Sequence, residues 1–157
     1  MSFDRPRRAM TPVDRPVHGS RPRSPLPGNE PGMPVIDEWA APRTGEQVPI
    51  ARRRVGVLAE KVLGCAERAA EAGLAAGELL ANAVVHGAGP EMAVRVGAAG
   101  RVLRVEIRDG GGGPIGEPED GPLAESGRGL VLVAALTSRF GLAASAEGTC
   151  AWFEAEP

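Results

Sequence analysis

The stretch GELLANAVVHG, from Gly77 to Gly87, places three polar residues at intervals of four in an otherwise apolar segment. Glu78, Asn82 and His86 fall on one stripe of a helix, because an α-helix advances by about 100° per residue. The stripe is either an ordinary solvated face or a surface that faces a ligand. The opposite side carries the residues expected to face a core: Ala76, Leu80, Ala83 and Val84.

Composition and charge exclude several classes of protein. The 157 residues are 43% hydrophobic and 24% charged, as in a soluble globular protein. Residues 1–28 carry six Arg and two Asp, net +4, which leaves −6 on the rest of a chain whose total is −2. An acidic body argues against direct nucleic-acid binding, which needs clustered Lys and Arg. The chain shows no long apolar run, no signal peptide and only two cysteines, so we expect a cytoplasmic protein that does not enter a membrane.

Proline content divides the chain into a tail and one folded domain. Ten of the fifteen prolines lie within residues 1–49. The first thirty residues have too little apolar surface to offset the entropy of ordering them. We therefore expect residues 1–33 to form a disordered Pro/Arg-rich tail and residues 34–157 to form the domain.

Hydrophobic periodicity within the domain predicts both helices and strands. The helices and strands do not alternate one by one along the chain, and the predicted hairpin is antiparallel. We therefore expect an α+β fold, a two-layer α/β sandwich. Its sheet would be mixed but mostly antiparallel, with helices on one face. The predicted elements are an edge strand in VIDEWAAP with Trp39, a helix from Val48 to Gly64, a helix from Glu67 to His86, a β-hairpin over 91–109, a loop from Gly110 to Gly127, a helix that closes at Gly141, and a final strand in GTCAWFEAE.

The segment RDGGGGPIG follows the second strand of the predicted hairpin. Asp109 ends a buried run, where a carboxylate must find a donor or remain in water. The glycines after it let the backbone approach a flat ligand, although a flexible surface turn explains them equally well. The glycines also match G-x-G-x-x-G, but a dinucleotide-binding fingerprint opens a helix directly, whereas here Pro114 and an acidic segment follow.

The segment ESGRGLVLV leads into the third predicted helix. Gly127 and Gly129 would leave backbone N–H groups unpaired at the positive end of the helix dipole, which suits a phosphate. Ser126 acting as an ordinary N-cap is the alternative. No phosphate-binding G-x-x-x-x-G-K-[ST] motif is present, and the only lysine, Lys61, lies inside the first helix.

The polar stripe has the residue types that magnesium-dependent phosphoryl transfer uses. Asn82 offers Mg²⁺ a neutral oxygen without adding a second carboxylate beside a triphosphate. Glu78, one turn earlier, is placed to accept a proton from an attacking hydroxyl or water. His86, one turn later, is expected only to cap the C-terminal end of the helix, where a cation interacts favourably with the dipole.

Together, ELLANAVVHG, DGGGG and GRGL resemble, in that order, the N box and the two glycine boxes of the GHKL ATP-binding superfamily. The likeness covers Val35 to Glu156 and is greatest to bacterial anti-sigma factors that are also serine kinases. It implies the Bergerat-type fold, the cofactors ATP and Mg²⁺, and a role for each matching residue. Asn82 would hold magnesium, Glu78 would be the general base, Asp109 would accept from the adenine amino group, Gly111 and Gly113 would let the ring approach, Gly127, Arg128 and Gly129 would close over the phosphates, and Thr149 would lie at the adenine end.

The same resemblance implies partners as well as chemistry. The partners would be a sigma factor, an anti-anti-sigma (STAS-type) protein whose serine is phosphorylated, or both. Relatives often dimerise, so a homodimer stays open. A non-catalytic binding module with the same fold is the alternative function, because the loop between Gly113 and Gly127 is acidic and unfavourable beside a triphosphate. A histidine kinase is not expected, since no phosphoacceptor helix precedes the domain. Arg52, Arg53 and Arg54 lie either on the docking side or on a solvated face.

Overall fold

The computed structural model describes residues 33–110, 123–145 and 148–157, so the predicted tail lies outside these residues except for Met33. The described chain forms five strands and three helices. In chain order these are β1 (Val35–Pro42), α1 (Gln47–Leu63), α2 (Ala66–His86), β2 (Glu91–Ala99), β3 (Val102–Asp109), α3 (Leu123–Leu136), β4 (Arg139–Ser145) and β5 (Gly148–Ala155).

The five strands form one sheet in the order β1-β2-β3-β5-β4, with every neighbouring pair antiparallel. Side chains alternate between the two faces of a strand, and one face of this sheet packs against the helices. The core lies between these two layers, which confirms the predicted α+β sandwich. No parallel pair occurs among the described strands. The largest fully buried core side chains are Phe153, Leu63, Leu79, Leu80, Met92, Leu103 and Ile107.

β1 is the edge strand that the sequence predicted, and a cluster of three side chains fastens it to α1. Arg54 donates two hydrogen bonds to the Asp37 carboxylate, each of 2.7 Å, and its guanidinium lies 4.0 Å from the centre of the Trp39 ring. The Arg54 hydrogen bond holds the pKa of the Asp37 carboxyl below its ordinary value. Edge strands expose unpaired backbone groups, and this cluster covers part of β1 with a charged helix.

Small side chains let α1 and α2 approach each other and the sheet closely. On α1 the buried positions recur every four residues, and on α2 most of the buried positions are alanine or glycine. Gly64 ends α1 in the left-handed conformation, with φ of 64°, and its N–H donates to Glu60 O at 3.0 Å. This confirms the predicted stop, because glycine adopts positive φ without steric cost.

The prediction for the chain after Gly110 was wrong in two places. α3 begins at Leu123, so Gly127 and Gly129 lie inside the helix and not at its start. The helix then ends at Leu136, and Gly141 belongs to β4, a strand that the sequence analysis missed. The short segment RFGLAAS lacks β-branched residues, and its pairing with β5 decides its conformation.

The sheet face that points away from the helices carries a buried ion-pair cluster. Arg104 Nε donates to Glu106 Oε1 at 2.9 Å and Arg104 Nη1 to Glu154 Oε1 at 3.0 Å, while Arg139 lies 3.5 Å from Glu154 Oε2. The Arg104 guanidinium also stacks on the Trp152 ring at 4.1 Å. All four charged side chains are buried, and burial requires that such charges be paired.

Replacing Gly141 by Ala is expected to destabilise the fold by about 1–3 kcal/mol. The added Cβ would lie 2.7 Å from atoms of the Trp152 indole, which rests across this position. Urea unfolding measures the change. The matched control is Gly56→Ala on α1, where an added Cβ meets no atom within 4 Å and helix propensity favours Ala by up to about 1 kcal/mol. Wild-type stability for Gly141→Ala would contradict the close contact.

Candidate functional site

The polar stripe of α2 lies at the boundary between the helix layer and the surface. Glu78 and Asn82 are half-buried and His86 is exposed, whereas Leu79 and Leu80 are buried against the rest of the core. The apolar positions fix the rotation of α2, and the stripe follows from that rotation. Gly87 ends the helix as predicted, with its N–H donating to Ala83 O at 3.0 Å.

Glu78 faces α3 at the point where that helix has no side chain. A Cβ built on Gly129 would lie 2.8 Å from Glu78 Oε2, closer than side-chain atoms pack. Gly129 is itself buried. The structure therefore brings the first and third sequence motifs together, with the Glu78 carboxylate against the backbone of α3. A residue larger than glycine at this position would displace the carboxylate.

Asp109 and Thr149 meet at one end of the sheet, where β3 and β5 are neighbours. Thr149 N–H donates to Asp109 Oδ1 at 3.2 Å, although the two residues are forty positions apart in the chain. Asp109 lies on the face of β3 that packs against the helices. It follows the buried Ile107 by two residues, and side chains two residues apart in a strand share a face. These two residues, both assigned to an adenine end, are thus in direct contact.

The α2–β2 connection packs against the same end of β3. A Cβ on Gly87 would lie 3.0 Å from Asp109 Oδ2, and a Cβ on Gly89 would lie 2.7 Å from Gly110 O. Gly89 also has φ of 80°, a conformation that favours glycine. Asp109 is therefore enclosed by Thr149 on one side and by this connection on the other.

The remaining predicted site residues belong to the glycine-rich loop and the start of α3. Gly111 and Gly113 lie outside the described residues. Gly127 and Arg128 lie within α3, where only their backbone is described. Their assigned contacts with phosphates therefore stay predictions.

The three arginines of α1 differ in their surroundings. Arg54 is engaged with Asp37, as described above. The stem of Arg52 lies across Gly77 of α2, where an added Cβ would be 3.1 Å from Arg52 Cδ. Arg53 is exposed. The three side chains thus do not form one uniform docking surface.

Sequence reasoning missed one residue beside the site. Arg43, between β1 and α1, donates to Gly89 O at 2.7 Å and to Val84 O at 2.6 Å. Its partners lie more than forty positions along the chain, and no local pattern marks an arginine for such a contact. The one sequence signal for such a contact is the predicted C-terminus of α2, because its last carbonyl groups need hydrogen-bond donors.

Few side chains among the described residues could together bind a cation. In the part of the chain that the structure describes, no group of three or more His, Cys, Asp and Glu side chains could hold a metal ion.

Comparison with known families agrees with this geometry. A family model described as the histidine kinase-like ATPase domain matches residues 41–154, which is well over half of the chain. The protein belongs to the histidine kinase-like ATPase domain family. This confirms the GHKL assignment made from the three motifs, and an ATPase domain implies that the protein binds ATP.

Comparison with solved structures shows the same fold. The crystal structure of the RsbU and RsbW domains of Rv1364c from Mycobacterium tuberculosis matches with a TM-score of 0.57 and 22% sequence identity. The match covers 76% of this chain and 32% of that chain, so this protein spans about a third of the length of the solved one. No curated protein sequence matches the chain. Among the described helices, none is long and apolar enough to cross a membrane.

Replacing Asp109 by Ala is expected to weaken ATP binding at least about tenfold, since a charge-assisted hydrogen bond is worth about 1.5–3 kcal/mol. The change removes both the acceptor for Thr149 N–H and the carboxylate assigned to adenine. Calorimetric titration with ATP measures the loss. Glu91→Ala, an exposed carboxylate at the same end of the sheet, is the control and should bind ATP as wild type does. Unchanged affinity in Asp109→Ala would exclude Asp109 from the nucleotide site.

Proposed function

We propose that this protein is a cytoplasmic ATP-dependent serine/threonine kinase and anti-sigma regulator that phosphorylates an anti-anti-sigma partner. The observation that carries the proposal is the position of Glu78, half-buried on α2 and directly against the backbone of α3 at Gly129. A carboxylate held there, with Asn82 one turn away, suits transfer of a phosphoryl group from a bound nucleotide.

Glu78 supplies the proton acceptor of the proposed reaction. The partner's serine oxygen attacks the γ-phosphorus of ATP, the bond from that phosphorus to the β–γ bridging oxygen breaks, and ADP leaves. The hydroxyl proton passes to the Glu78 carboxylate. The carboxylate lies so close to Gly129 that a side chain at this position of α3 would displace it.

The residues present fit a magnesium–nucleotide complex. Asn82 supplies the single protein oxygen expected of a Mg²⁺ site that uses phosphates and waters for its other ligands. The cation, when bound, neutralises charge on the phosphates during transfer. Gly111 and Gly113 complete the proposal on the glycine-loop side, Gly127 and Arg128 complete it on the α3 side, and Asp109 with Thr149 receives the adenine.

The partner-binding part of the proposal is assigned to the outer surface of α1. Ile50 is 61% exposed and Val57 is 51% exposed, and the two residues lie two turns apart on one face of the helix. Arg53 lies between them and is also exposed. An apolar surface with a central positive charge suits a partner that carries an acidic and apolar patch.

A non-catalytic binding module is the second candidate function. The sequence between the glycine boxes carries Glu117, Glu119 and Asp120, which would repel a triphosphate. In this version the protein sequesters its partner with nucleotide as a switch or without nucleotide. Tight binding of a sigma factor without any binding of ATP, measured by calorimetry, supports the module alone. A module that uses nucleotide as a switch would bind ATP without transferring phosphate to the partner.

Glu78→Gln is expected to abolish phosphoryl transfer to the partner, by a factor of about 10² or more, while ATP affinity stays within about twofold of wild type. Glutamine keeps the size of the side chain but cannot accept the proton. Transfer of label from γ-labelled ATP to a purified cognate partner measures the rate. Glu67→Gln, an exposed carboxylate in the first turn of α2 and away from the proposed partner surface of α1, is the control. Transfer that survives Glu78→Gln would remove the general-base role.

A further inference from the structure

Arg43 joins two segments that are distant in the chain. Its Nε donates to Gly89 O at 2.7 Å and its Nη1 to Val84 O at 2.6 Å, and its backbone N–H donates to Pro90 O at 2.9 Å. Val84 belongs to the last turn of α2, where carbonyls have no partner within the helix. The guanidinium therefore supplies a hydrogen-bond donor to a free carbonyl at the end of α2 and holds the α2–β2 connection. Its positive charge is also favourable at the helix C-terminus.

The segment that Arg43 holds is the one that encloses Asp109. A Cβ built on Gly87 would lie 3.0 Å from Asp109 Oδ2, and one built on Gly89 would lie 2.7 Å from Gly110 O, so both positions pack too closely for any side chain. The other carboxylate oxygen, Oδ1, accepts from Thr149 N–H. A shift of the connection would therefore change the packing around the Asp109 carboxylate, because the connection lies directly against it.

We propose that Arg43 is a positioning residue for base recognition, acting through the Gly87–Pro90 connection to fix the Asp109 carboxylate. The inference rests on the proposed function insofar as the ligand is ATP. Arg43 does not touch the nucleotide in this account. Its planar guanidinium bridges two carbonyls with two separate N–H groups, a geometry that the single ammonium of lysine does not reproduce.

Loss of Arg43 should therefore affect the adenine end of the site more than the phosphate end. The phosphates are assigned to Asn82 and to α3, and Arg43 contacts neither of them. We expect Arg43→Ala and Arg43→Lys to weaken ATP binding by about tenfold, in the range of one charge-assisted hydrogen bond. Discrimination between ATP and GTP should fall by a similar factor, because a misplaced carboxylate no longer selects the adenine amino group.

The matched control is another arginine that serves a helix end away from the site. Arg101 Nη2 donates to Leu63 O at 2.5 Å, at the C-terminus of α1. It lies in the turn between β2 and β3, whereas Asp109 lies at the opposite end of β3. Arg101→Ala removes a comparable bond, so it should lower the melting temperature as Arg43→Ala does without changing the ATP-to-GTP affinity ratio.

Two measurements on the full chain test the proposal. Calorimetric titrations with ATP and with GTP give the affinity ratio for wild type, Arg43→Ala, Arg43→Lys and Arg101→Ala. Amide hydrogen exchange at Thr149, followed by NMR without nucleotide, reports whether Asp109 still accepts its hydrogen bond. We expect faster exchange at Thr149 in Arg43→Ala than in Arg101→Ala at matched global stability.

The outcomes distinguish this inference from the proposed function. An ATP-to-GTP ratio and a Thr149 exchange rate that are the same in Arg43→Ala and Arg101→Ala would overturn the positioning role, whatever the kinase activity. If wild type binds no ATP but Thr149 exchange still responds only to Arg43 variants, the positioning of Asp109 is upheld and the proposed function alone fails. Should Arg43→Ala not fold, Arg43→Lys carries the comparison.

Discussion

The burial of one face of α2 is the constraint on which the site depends. Leu79, Leu80 and Ala83 must be buried to form a core, and the helical repeat then turns Glu78 toward α3 and places Asn82 one turn further along the same stripe. The directions of the polar side chains therefore follow from the packing of the apolar side chains. A change that rotated α2 to relieve a cavity in the core would turn the site as well, so packing and chemistry are coupled through a single helix.

The second half of the site depends on backbone contacts that exclude side chains. α3 meets Glu78 at Gly129, and the α2–β2 connection meets β3 at Gly89 and Gly110. Glycine costs helix stability, by about 1 kcal/mol relative to Ala, yet α3 contains this residue at the contact itself. Close approach between elements that come from separate parts of the chain explains why a residue unfavourable for the helix is retained there.

The fold and much of the site could be predicted from the sequence because their signals are local. The spacing of Glu78 and Asn82, the alternation in β2 and β3, and the stop at Gly64 each lie within a few residues. β4 and the start of α3 could not be predicted in this way. Ser126, Gly127 and Gly129 interrupt the helical signal at the start of α3, and β4 is held by its pairing with β5. The contacts of Arg43 could not be predicted for the same reason, since its partners come from α2 and the segment after it.

The charges on the outer sheet face also determine how the strands align. Arg95 of β2 stands opposite Glu106 of β3, which has Arg104 and Arg108 two positions away on either side. A slip of two residues in either direction would set arginine against arginine, and like charges directly opposite each other are destabilising. In β5 a similar slip would place Glu106 against Glu154. An outer face built of aliphatic residues would tolerate such mispairing. On this outer face, repulsion between like charges disfavours the shifted registers and so helps to fix the alignment of the strands.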